Sequence, residues 1–398
     1  KVLNEVLSKC LKLTKKQHVL NQLACVKIFT DDSGMIFIYA TDLETGMTFS
    51  VKSSESEPDM TGFLVRCDKL FALVAALKCE TVSLKTTKAS LHVEGDGITG
   101  DFTLPLVSGD LPAFKENTDG RTFTFEWDNS YGLLRRVLSG FVVNKQYSNG
   151  AEAITAFSIK KSSTSAEDYE LCAANTDGCL GSTERADAVV DDDVFPRTET
   201  SVTFELFHKQ VRLLAETEGL LTVSVNNYNV WFRQEKENLS VEIIFARPTG
   251  NGKATAETAM EALDNMLKQV RSSFDSRIAV HRKRLLETIN RVMICATAEG
   301  DINRDYMLSM DMIFSGDGLK ISHHDTDAEE TITDIEFEGK QGRLRFNPDI
   351  LKHLLTEQGD VIELSYDHES TSETDTLNVV AVEDQDNEKY NGFIAGRT

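Results

Sequence analysis

Histidine and carboxylate side chains that cluster in the stretch "HHDTD" are the first candidates for chemistry in this chain. Imidazole and carboxylate groups bind divalent metals, and the candidate ligands are His323, His324, Asp325 and Asp327. The stretch is polar and lies between two strand-like runs, which is typical of a solvated hairpin. We therefore favour a hairpin over a metal site and expect no metal and no cofactor.

Two other stretches resemble catalytic motifs but lack residues that those motifs require. A phosphate-binding loop at "GNGKAT" (250–255) would need glycine at 247 and serine or threonine at 254, where the chain has Arg247 and Ala254. Cys179 follows a Thr-Asp-Gly turn, but no nearby residue marks a base that would activate its thiol. We predict no catalytic residue and expect that the protein is not an enzyme.

Basic residues are concentrated on three helix-like segments. Residues 1–16, 129–145 and 281–291 carry net charges of +4, +3 and +3, although the whole chain carries −22. On a helical wheel each segment places apolar residues on one face and basic residues on the other. The basic residues are Lys9, Lys12, Arg135, Arg136, Lys283, Arg284 and Arg291.

Three basic faces on an acidic frame indicate a polyanionic partner. One such helix by itself is explained by a solvated surface, since lysine and arginine are good helix formers. If three equivalent helices converge on one surface, however, they attract a phosphate backbone there while the acidic remainder repels it elsewhere. No base-reading motif accompanies them, so we expect contact with nucleic acid to be independent of base sequence.

The elements that position these helices recur along the chain. A change from helical periodicity to strand alternation occurs three times, in "RCDKLFALVAALKCETVSL" (66–84), "LFHKQVRLLAETEGLLTVSV" (206–225) and "FNPDILKHLLTEQGDVIELSY" (346–366). Equivalent points at Cys67, His208 and Pro348 lie 141 and 140 residues apart. Each repeat of about 133 residues has the pattern helix, short strands, helix, short strands.

This pattern predicts an α+β protein with mostly antiparallel sheets and two helices per repeat. We predict three repeated domains at residues 1–117, 118–250 and 272–398, with a helical linker segment at residues 251–271. The seven cysteines are odd in number and scattered, which is typical of free thiols in a reducing compartment. No apolar run approaches the length of a membrane span, so we expect a soluble, cytoplasmic protein with no membrane partner.

Several motifs resemble, in order, those of the bacterial β sliding clamp, the β subunit of DNA polymerase III. "IFIYATDLETGMTFSV" (36–51) resembles the family's first-domain strand and its Thr-Asp-Leu-Glu turn. "GDFTLPLVSGDLPAF" (100–114) is similar to the end of that domain, and "CAANTDGCLGSTERA" (172–186) to a second-domain strand ending in Thr-Asp-Gly. "RLRFNPDILKHLLTEQGDVIELSY" (343–366) resembles the third-domain helix and strand, so the succession covers nearly the whole chain.

The resemblance implies a fold and a function. In that family each chain has three similar clamp domains, and two chains meet head to tail as a homodimeric ring around double-stranded DNA, with helices lining the channel. The ring is placed by a clamp loader, tethers a replicative DNA polymerase and binds other proteins through a short clamp-binding motif. The resemblance implies that the seven basic residues above face DNA, together with Lys15 and Lys16.

The resemblance also implies residues for two protein contacts. The head-to-tail contact would join Phe102 and Leu104 of one chain to Ile294 and Cys295 of the other, although packing within their own domains explains these residues equally well. The pocket for a partner peptide, between the second and third domains, is implied at Thr176, Gly178, Cys179, Leu180, Asn347, Ile350, Ile394 and Ala395.

The chain departs from the family at this pocket and at its start. Cys179, Leu180 and Gly181 replace the usual His-Arg-Leu, and residues 394–397 replace the usual Met-Pro-Met/Val-Arg. By the same resemblance, the chain begins inside the first helix, without the short strand that precedes this helix in the family. A divergent or phage-encoded clamp accounts for both the match and the departures.

Two other hypotheses stay open. A clamp-like ring or half-ring could serve mainly as a protein scaffold with weak or no DNA tethering, although the basic helices argue against it. A nucleic-acid-processing enzyme could lie in the acidic loops, and its activity would then depend on His323 and Asp325.

Overall fold

The structure is a computed structural model, and it describes most of the chain. The described residues are 1–14, 20–52, 62–112, 114, 122–129, 133–138, 154–161, 169–176, 180–190, 201–247, 274–297, 309–323, 326–356, 358–369, 377–385 and 387–395.

Helices and strands follow the predicted order in each third of the chain. The first third contains α1 (Val2–Cys10), a 3-10 helix (Asn21–Ala24), β1 (Cys25–Thr30), β2 (Ile36–Thr41), β3 (Thr45–Val51), β4 (Phe63–Arg66), α2 (Cys67–Leu77), β5 (Val82–Thr86), β6 (Ser90–Gly95) and β7 (Phe102–Val107). The second third contains β8 (Phe123–Asp128), α3 (Leu133–Leu138), β9 (Ile154–Lys161), β10 (Tyr169–Thr176), β11 (Leu180–Val190), β12 (Ser201–Phe207), α4 (His208–Leu214), β13 (Leu220–Val225), β14 (Asn229–Lys236) and β15 (Leu239–Ala246). The last third contains β16 (Ser276–His281), α5 (Arg282–Thr297), β17 (Met310–Ser315), β18 (Gly318–His323), β19 (Glu329–Ile332), β20 (Ile335–Glu338), β21 (Gly342–Phe346), α6 (Pro348–Leu355), β22 (Val361–Tyr366), β23 (Val379–Asp384) and β24 (Asn387–Ala395).

Local sequence explains where α6 begins and which face it buries. The Asn347 side chain accepts hydrogen bonds from the N–H groups of Asp349 and Ile350, at 2.9 and 3.4 Å, which satisfies two donors that the first turn leaves free. Pro348 follows as the first helical residue, where its missing N–H costs nothing. A set of three leucines at helical spacing then lies in the core, namely Leu351, Leu354 and Leu355.

The chain folds into two compact units. The first comprises Lys1–Glu126, Val190–Phe195 and Gly219–Arg247, and the second comprises Trp127–Val189, Pro196–Glu218 and Pro248–Thr398. The units divide the second third of the chain between them, so they cut across the predicted domain boundaries. Those boundaries stay a prediction, and the linker segment at residues 251–271 lies outside the described residues.

The first unit is built on one run of antiparallel strands. Its strand order is β5-β6-β7-β4-β1-β2-β3-β15-β14-β13. Helices α1 and α2 pack against each other, and Val6, Leu7 and Leu70 on their facing sides are fully buried. The β3–β15 pair, from Thr45 opposite Phe245 to Val51 opposite Leu239, joins the first third of the chain to the second. We call this pair the first seam.

The second unit repeats this arrangement. One sheet has the order β12-β9-β10-β11-β24-β23-β22-β16-β20, and a second sheet has the order β19-β18-β17-β21. Phe314, Phe346 and Tyr366 are fully buried in the core under α5 and α6. The β11–β24 pair, from Leu180 opposite Ile394 to Glu184 opposite Tyr390, joins the second third to the last. We call this pair the second seam.

None of the helices within the described ranges combines the length and the apolar character that crossing a bilayer requires.

Candidate functional site

Helix α1 has the amphipathic form that its sequence predicts. Val6, Leu7 and Cys10 are fully buried, and Leu13 just beyond the helix is almost so. Lys12 is exposed, whereas the Lys9 ammonium lies 3.1 Å from the Glu5 carboxylate one turn earlier. Lys15 and Lys16 lie outside the described residues. This helix and the turn after it therefore present Lys9 and Lys12 on the side opposite the core face, and Lys9 forms an ion pair with Glu5.

In α3, Arg135 reaches the end of the neighbouring helix instead of extending into solvent. Its Nε donates to the carbonyl of Ala215 at 3.3 Å, and its Nη2 donates to Glu218 at 2.9 Å. Ala215 is the residue that ends α4, where helix carbonyls lack partners and carry partial negative charge. Arg136 beside it is half-buried. Arg135 thus stabilises α4, and Glu218 offsets much of its charge.

Arg282 makes the same kind of contact in the last third of the chain, and sequence reasoning missed it. Its Nη1 donates to the carbonyl of Thr356, which ends α6, at 2.9 Å, and to that of Leu355 at 3.4 Å. Lys283 and Arg284, the next two residues, are exposed. Arg282 and Arg135 both lie near the start of the first helix of their repeat, and that shared place is the signal that the sequence offered.

The remaining predicted DNA cation, Arg291, is bound to an acidic residue. Its Nε and Nη2 donate to the two oxygens of Glu330 at 2.8 and 2.7 Å, and a weaker contact reaches Glu287 at 3.8 Å. The hydrogen bonds from Arg291 lower the pKa of the Glu330 carboxyl. Glu330 lies 39 residues further along the chain, so no local pattern identifies it as a partner.

Four of the residues predicted for a partner pocket lie on strands at the end of the second seam, namely Thr176, Leu180, Ile394 and Ala395. Leu180 at the start of β11 is opposite Ile394 of β24, which is buried, and Ala395 is opposite Val379. Thr176 ends β10 opposite Gly181. Asn347 and Ile350 lie in the same unit, where the buried Asn347 caps α6 and Ile350 packs on the core. Gly178 and Cys179 lie outside the described residues.

The residues predicted for the head-to-tail contact lie at exposed places. Phe102 in β7 has 37% of its surface exposed, and Leu104 is half-buried. In the second unit Ile294 is 68% exposed and Cys295 is also exposed, at the end of α5. Single exposed apolar side chains are common on protein surfaces, so the head-to-tail contact at these places stays a prediction.

The last strand of each third of the chain explains why β7 is exposed. The last strand of the second third, β15, pairs with β3, and the last strand of the final third, β24, pairs with β11. β7 is the corresponding strand of the first third, and beyond β6 its described partner is β4, at Leu106 and Val107. β19 corresponds to β3 and β11, and in the described part of the chain it pairs with β18 alone.

The structure describes two of the four candidate metal ligands in the "HHDTD" stretch, and the absence of a metal there stays a prediction. The His323 side chain is buried, the backbone N–H of His323 donates to the carbonyl of Ala328 at 2.9 Å across a hairpin, and Asp327 is exposed. His324 and Asp325 lie outside the described residues. This arrangement agrees with the solvated hairpin.

Another group of potential ligands, Asp275, Asp367 and His368, lies at the ends of β16 and β22. The His368 ring contacts Asp275 through Nδ1, and the Lys340 ammonium lies 2.8 Å from Nε2. Burial raises the pKa of Asp275, but hydrogen bonds from Ser276 and His368 outweigh burial and leave it lowered. Because the His368 ring contacts both Asp275 and the Lys340 ammonium, the cluster is explained as a hydrogen-bonded network.

Comparison with solved structures decides the fold. The DNA polymerase III β subunit of Thermotoga maritima is 19% identical with a TM-score of 0.73, over 100% of this chain and 97% of that one. A Pseudomonas aeruginosa sliding clamp bound to griselimycin is 16% identical with a TM-score of 0.76, over 100% and 97%. A Helicobacter pylori β clamp bound to a DNA ligase peptide is 12% identical with a TM-score of 0.68, over 100% and 98%.

The chain has the fold of the bacterial β sliding clamps. No protein-family model and no curated protein matches its sequence. The clamp fold is therefore kept at low sequence identity. The resemblance seen in the four sequence motifs is confirmed at the level of the fold, including its antiparallel sheets and few helices.

Proposed function

We propose that the protein is a DNA sliding clamp. Two chains, each with three clamp domains, would meet head to tail in a ring around double-stranded DNA and tether a replicative DNA polymerase without reading base sequence. The ring would be opened by a clamp loader, would act in the cytoplasm and would catalyse no reaction. The clamp fold over the whole chain supports this function.

The observation that carries the proposal is strand pairing. Two seams join thirds of the chain, and two further strands, β7 and β19, have no seam partner among the described strands. Each seam pairs a strand that ends one third of the chain with the third strand after the first helix of another. β7 and β19 are of these same two kinds and lack such a partner among the described strands. If β7 of each chain pairs with β19 of the other, two more contacts of the seam type form. Head-to-tail contacts of this kind close a ring when the rotation that relates the two chains brings the second contact together.

Charge supports DNA as the molecule that the ring encloses. Lys12, Lys283 and Arg284 are exposed on or beside the first helices, while the chain as a whole carries −22. The acidic remainder repels a phosphate backbone, so favourable contact is restricted to the helices. A few non-specific contacts suffice because encirclement, not affinity, would retain the DNA.

Partner proteins would bind at the second seam. The Helicobacter pylori clamp is bound to a DNA ligase peptide, and the Pseudomonas aeruginosa clamp to griselimycin. In this chain a short apolar peptide would bind near the start of β11 at Leu180 and contact the half-buried Ile350 beside the Asn347 cap. The changed residues around Cys179 and at 394–397 predict a partner motif that differs from the usual one.

Removing the helix cations tests the proposal. We expect the variant K12Q/R136Q/K283Q/R284Q to lose much of its retention on loaded circular DNA and of its stimulation of a cognate polymerase. If all four residues contact phosphates, the slope of log affinity against log salt should fall by about 3.6. Loader-dependent primer extension at several salt concentrations measures both effects.

A matched variant removes the same charge from strands and turns. K85Q/K88Q/K236Q/K320Q should leave retention and the salt slope near the wild-type values, because these lysines do not belong to the helices. Equal losses in both variants would exclude a DNA surface on the helices. A wild-type protein that stimulates no cognate polymerase would favour the scaffold hypothesis instead.

A further inference from the structure

Arg291 and Glu330 form one of the best-defined ion pairs in the second unit. The guanidinium donates through Nε and Nη2 to the two carboxylate oxygens, at 2.8 and 2.7 Å. Thr288, which is fully buried, donates from its hydroxyl to Glu330 at 3.2 Å, and Arg291 Nη2 also lies 3.2 Å from that hydroxyl oxygen. Two parallel hydrogen bonds from a planar guanidinium fix orientation as well as distance, so Glu330 is held in one place.

This ion pair connects the two parts of the surface that a second chain would meet. Helix α5 packs on β18 and β19, and Arg291 reaches from the helix to the edge strand. Ile294 and Cys295 lie three and four residues beyond Arg291, so they are its neighbours on the helix surface. Both are exposed, Ile294 by 68%. Arg291 therefore lies between the exposed end of α5 and the edge of β19.

The alternation of side chains in β19 places a carboxylate on the face that packs against α5, and Arg291 of α5 binds this carboxylate. Glu330 and Ile332 point toward α5 and the core, whereas Glu329 and Thr331 are exposed. Ile332 is buried, as an inward position requires, but Glu330 carries a charge inward. An inward carboxylate without a partner would be drawn back to water, and with it the strand. Arg291 removes that tendency.

The hydrogen-bonding edge of β19 is then left facing outward. The N–H of His323 donates to the carbonyl of Ala328, and Ile321 is opposite Glu330, so the ladder bonds to β18 fall at alternate residues. The N–H groups of Glu329 and Thr331 consequently point away from β18. This is the row that β7 of a second chain would pair with.

We propose that Arg291 is a positioning residue for the head-to-tail contact, which holds β19 against α5 through Glu330, and that it is not a contact for DNA. The role rests on the proposed ring. It explains why a cation on the same helix as Lys283 and Arg284 donates two hydrogen bonds to one carboxylate, with Thr288 linked to both partners by two more.

Substitution of each partner separates this role from DNA binding. R291Q and E330Q should each raise the dimer dissociation constant about tenfold, because a weakened pair acts at both contacts of a closed dimer. R291K keeps the charge but loses the paired hydrogen bonds, and it should lie between R291Q and wild type. Sedimentation equilibrium measures these constants, and circular dichroism on heating checks that each variant is folded.

K283Q is the matched control, since it removes an exposed cation from the same helix. It should leave dimerisation unchanged and reduce retention on DNA. If Arg291 instead served DNA, E330Q would release it and strengthen DNA retention without weakening the dimer, which would overturn the proposal. The proposal would also be overturned if the R291Q variant were folded and dimerised as tightly as wild type. A wild-type chain that stays monomeric at all concentrations would overturn the ring itself and this role with it.

Discussion

At the level of single residues, the first-helix cations fall into two groups. Arg135 and Arg282 donate to the carbonyls that end α4 and α6, and Arg291 binds Glu330. Lys12, Lys283 and Arg284 are exposed. An arginine has several donors in a fixed fork and can satisfy a helix end, whereas a lysine offers a single strongly hydrated charge. Residue type does not separate the two groups completely, because Arg284 is an exposed arginine and Lys9 is a lysine paired with Glu5.

His208, the first residue of α4, makes the stability of the protein depend on pH. Burial lowers its pKa to about 4, and the nearby charges of Arg212 and His353 act in the same direction. In the unfolded chain His208 therefore takes up a proton near pH 6.5, whereas in the folded chain it takes up this proton only near pH 4. The contribution to stability is complete above pH 6.5 and is lost as the pH falls toward 4, by at most about 3 kcal/mol.

The variant H208Q should flatten this dependence. Its free energy of unfolding, from urea titrations between pH 4 and 7, should change less with pH than that of wild type. H281Q, which removes an exposed histidine, is the control and should keep the wild-type slope. A steep slope retained in H208Q would show that another group titrates.

At the level of elements, the sheet β19-β18-β17-β21 contains a buried charge network. Asp311 of β17 is almost fully buried and accepts hydrogen bonds from Arg343 at 2.5 Å and Arg345 at 3.1 Å, both on β21. Burial raises the pKa of Asp311, but the hydrogen bonds from the two arginines outweigh burial and leave it lowered. A lowered carboxyl pKa adds stability at neutral pH, and this stability is lost as the pH falls through the folded pKa.

We expect D311N to lower the free energy of unfolding at pH 7 by about 2 kcal/mol, since it leaves two arginines without their anion. The loss relative to wild type should begin to shrink below about pH 4, where the unfolded state takes up a proton, and should shrink further as the pH falls through the lower pKa of folded Asp311. Urea titration at pH 7 and pH 3.5 measures both values. D317N, in an exposed turn, makes the same change of charge and should shift stability by less than about 0.5 kcal/mol. Equal effects of D311N and D317N would contradict the stabilising role of the hydrogen bonds that Asp311 accepts from the two arginines.

At the level of the whole molecule, the proposed ring closure depends on the edge of β7 opposite β6, at the residues before Leu106, where the pairing with β4 begins. The N–H of Leu106 donates to Ala89 of the β6 side at 2.9 Å, and Thr103 is opposite His92. By the alternation of an antiparallel ladder, the N–H of Thr103 points away from β6. T103P removes that donor and should raise the dimer dissociation constant about a hundredfold, because both contacts of the ring lose a hydrogen bond and meet the proline ring.

T103A keeps the N–H and is the control. Native mass spectrometry across a concentration series should find T103P largely monomeric where T103A and wild type are dimeric. T331P, on the reciprocal edge of β19, should behave as T103P does. Wild-type dimerisation in both proline variants would exclude pairing of these edges.

The sequence by itself determined much that depends on short spacings. The buried faces of α1 and α6, the threefold recurrence of helix and strands, and the preference for antiparallel sheets follow from apolar periodicity over a few residues. The clamp resemblance came from short motifs, each within one strand or helix. Such features are local, so they survive in the sequence even where identity to known clamps is 11–19%.

Only the tertiary structure decided which distant groups meet. The first seam pairs Val51 with Leu239, and the second pairs Leu180 with Ile394. Arg291 is one of the residues that the clamp resemblance implies to face DNA, and in the structure its guanidinium binds Glu330. A wheel shows that a side chain is on the polar face, but many acidic residues compete to pair with it. The choice among them is made by distances of a few ångströms, which exist only after the sheets have packed on the helices.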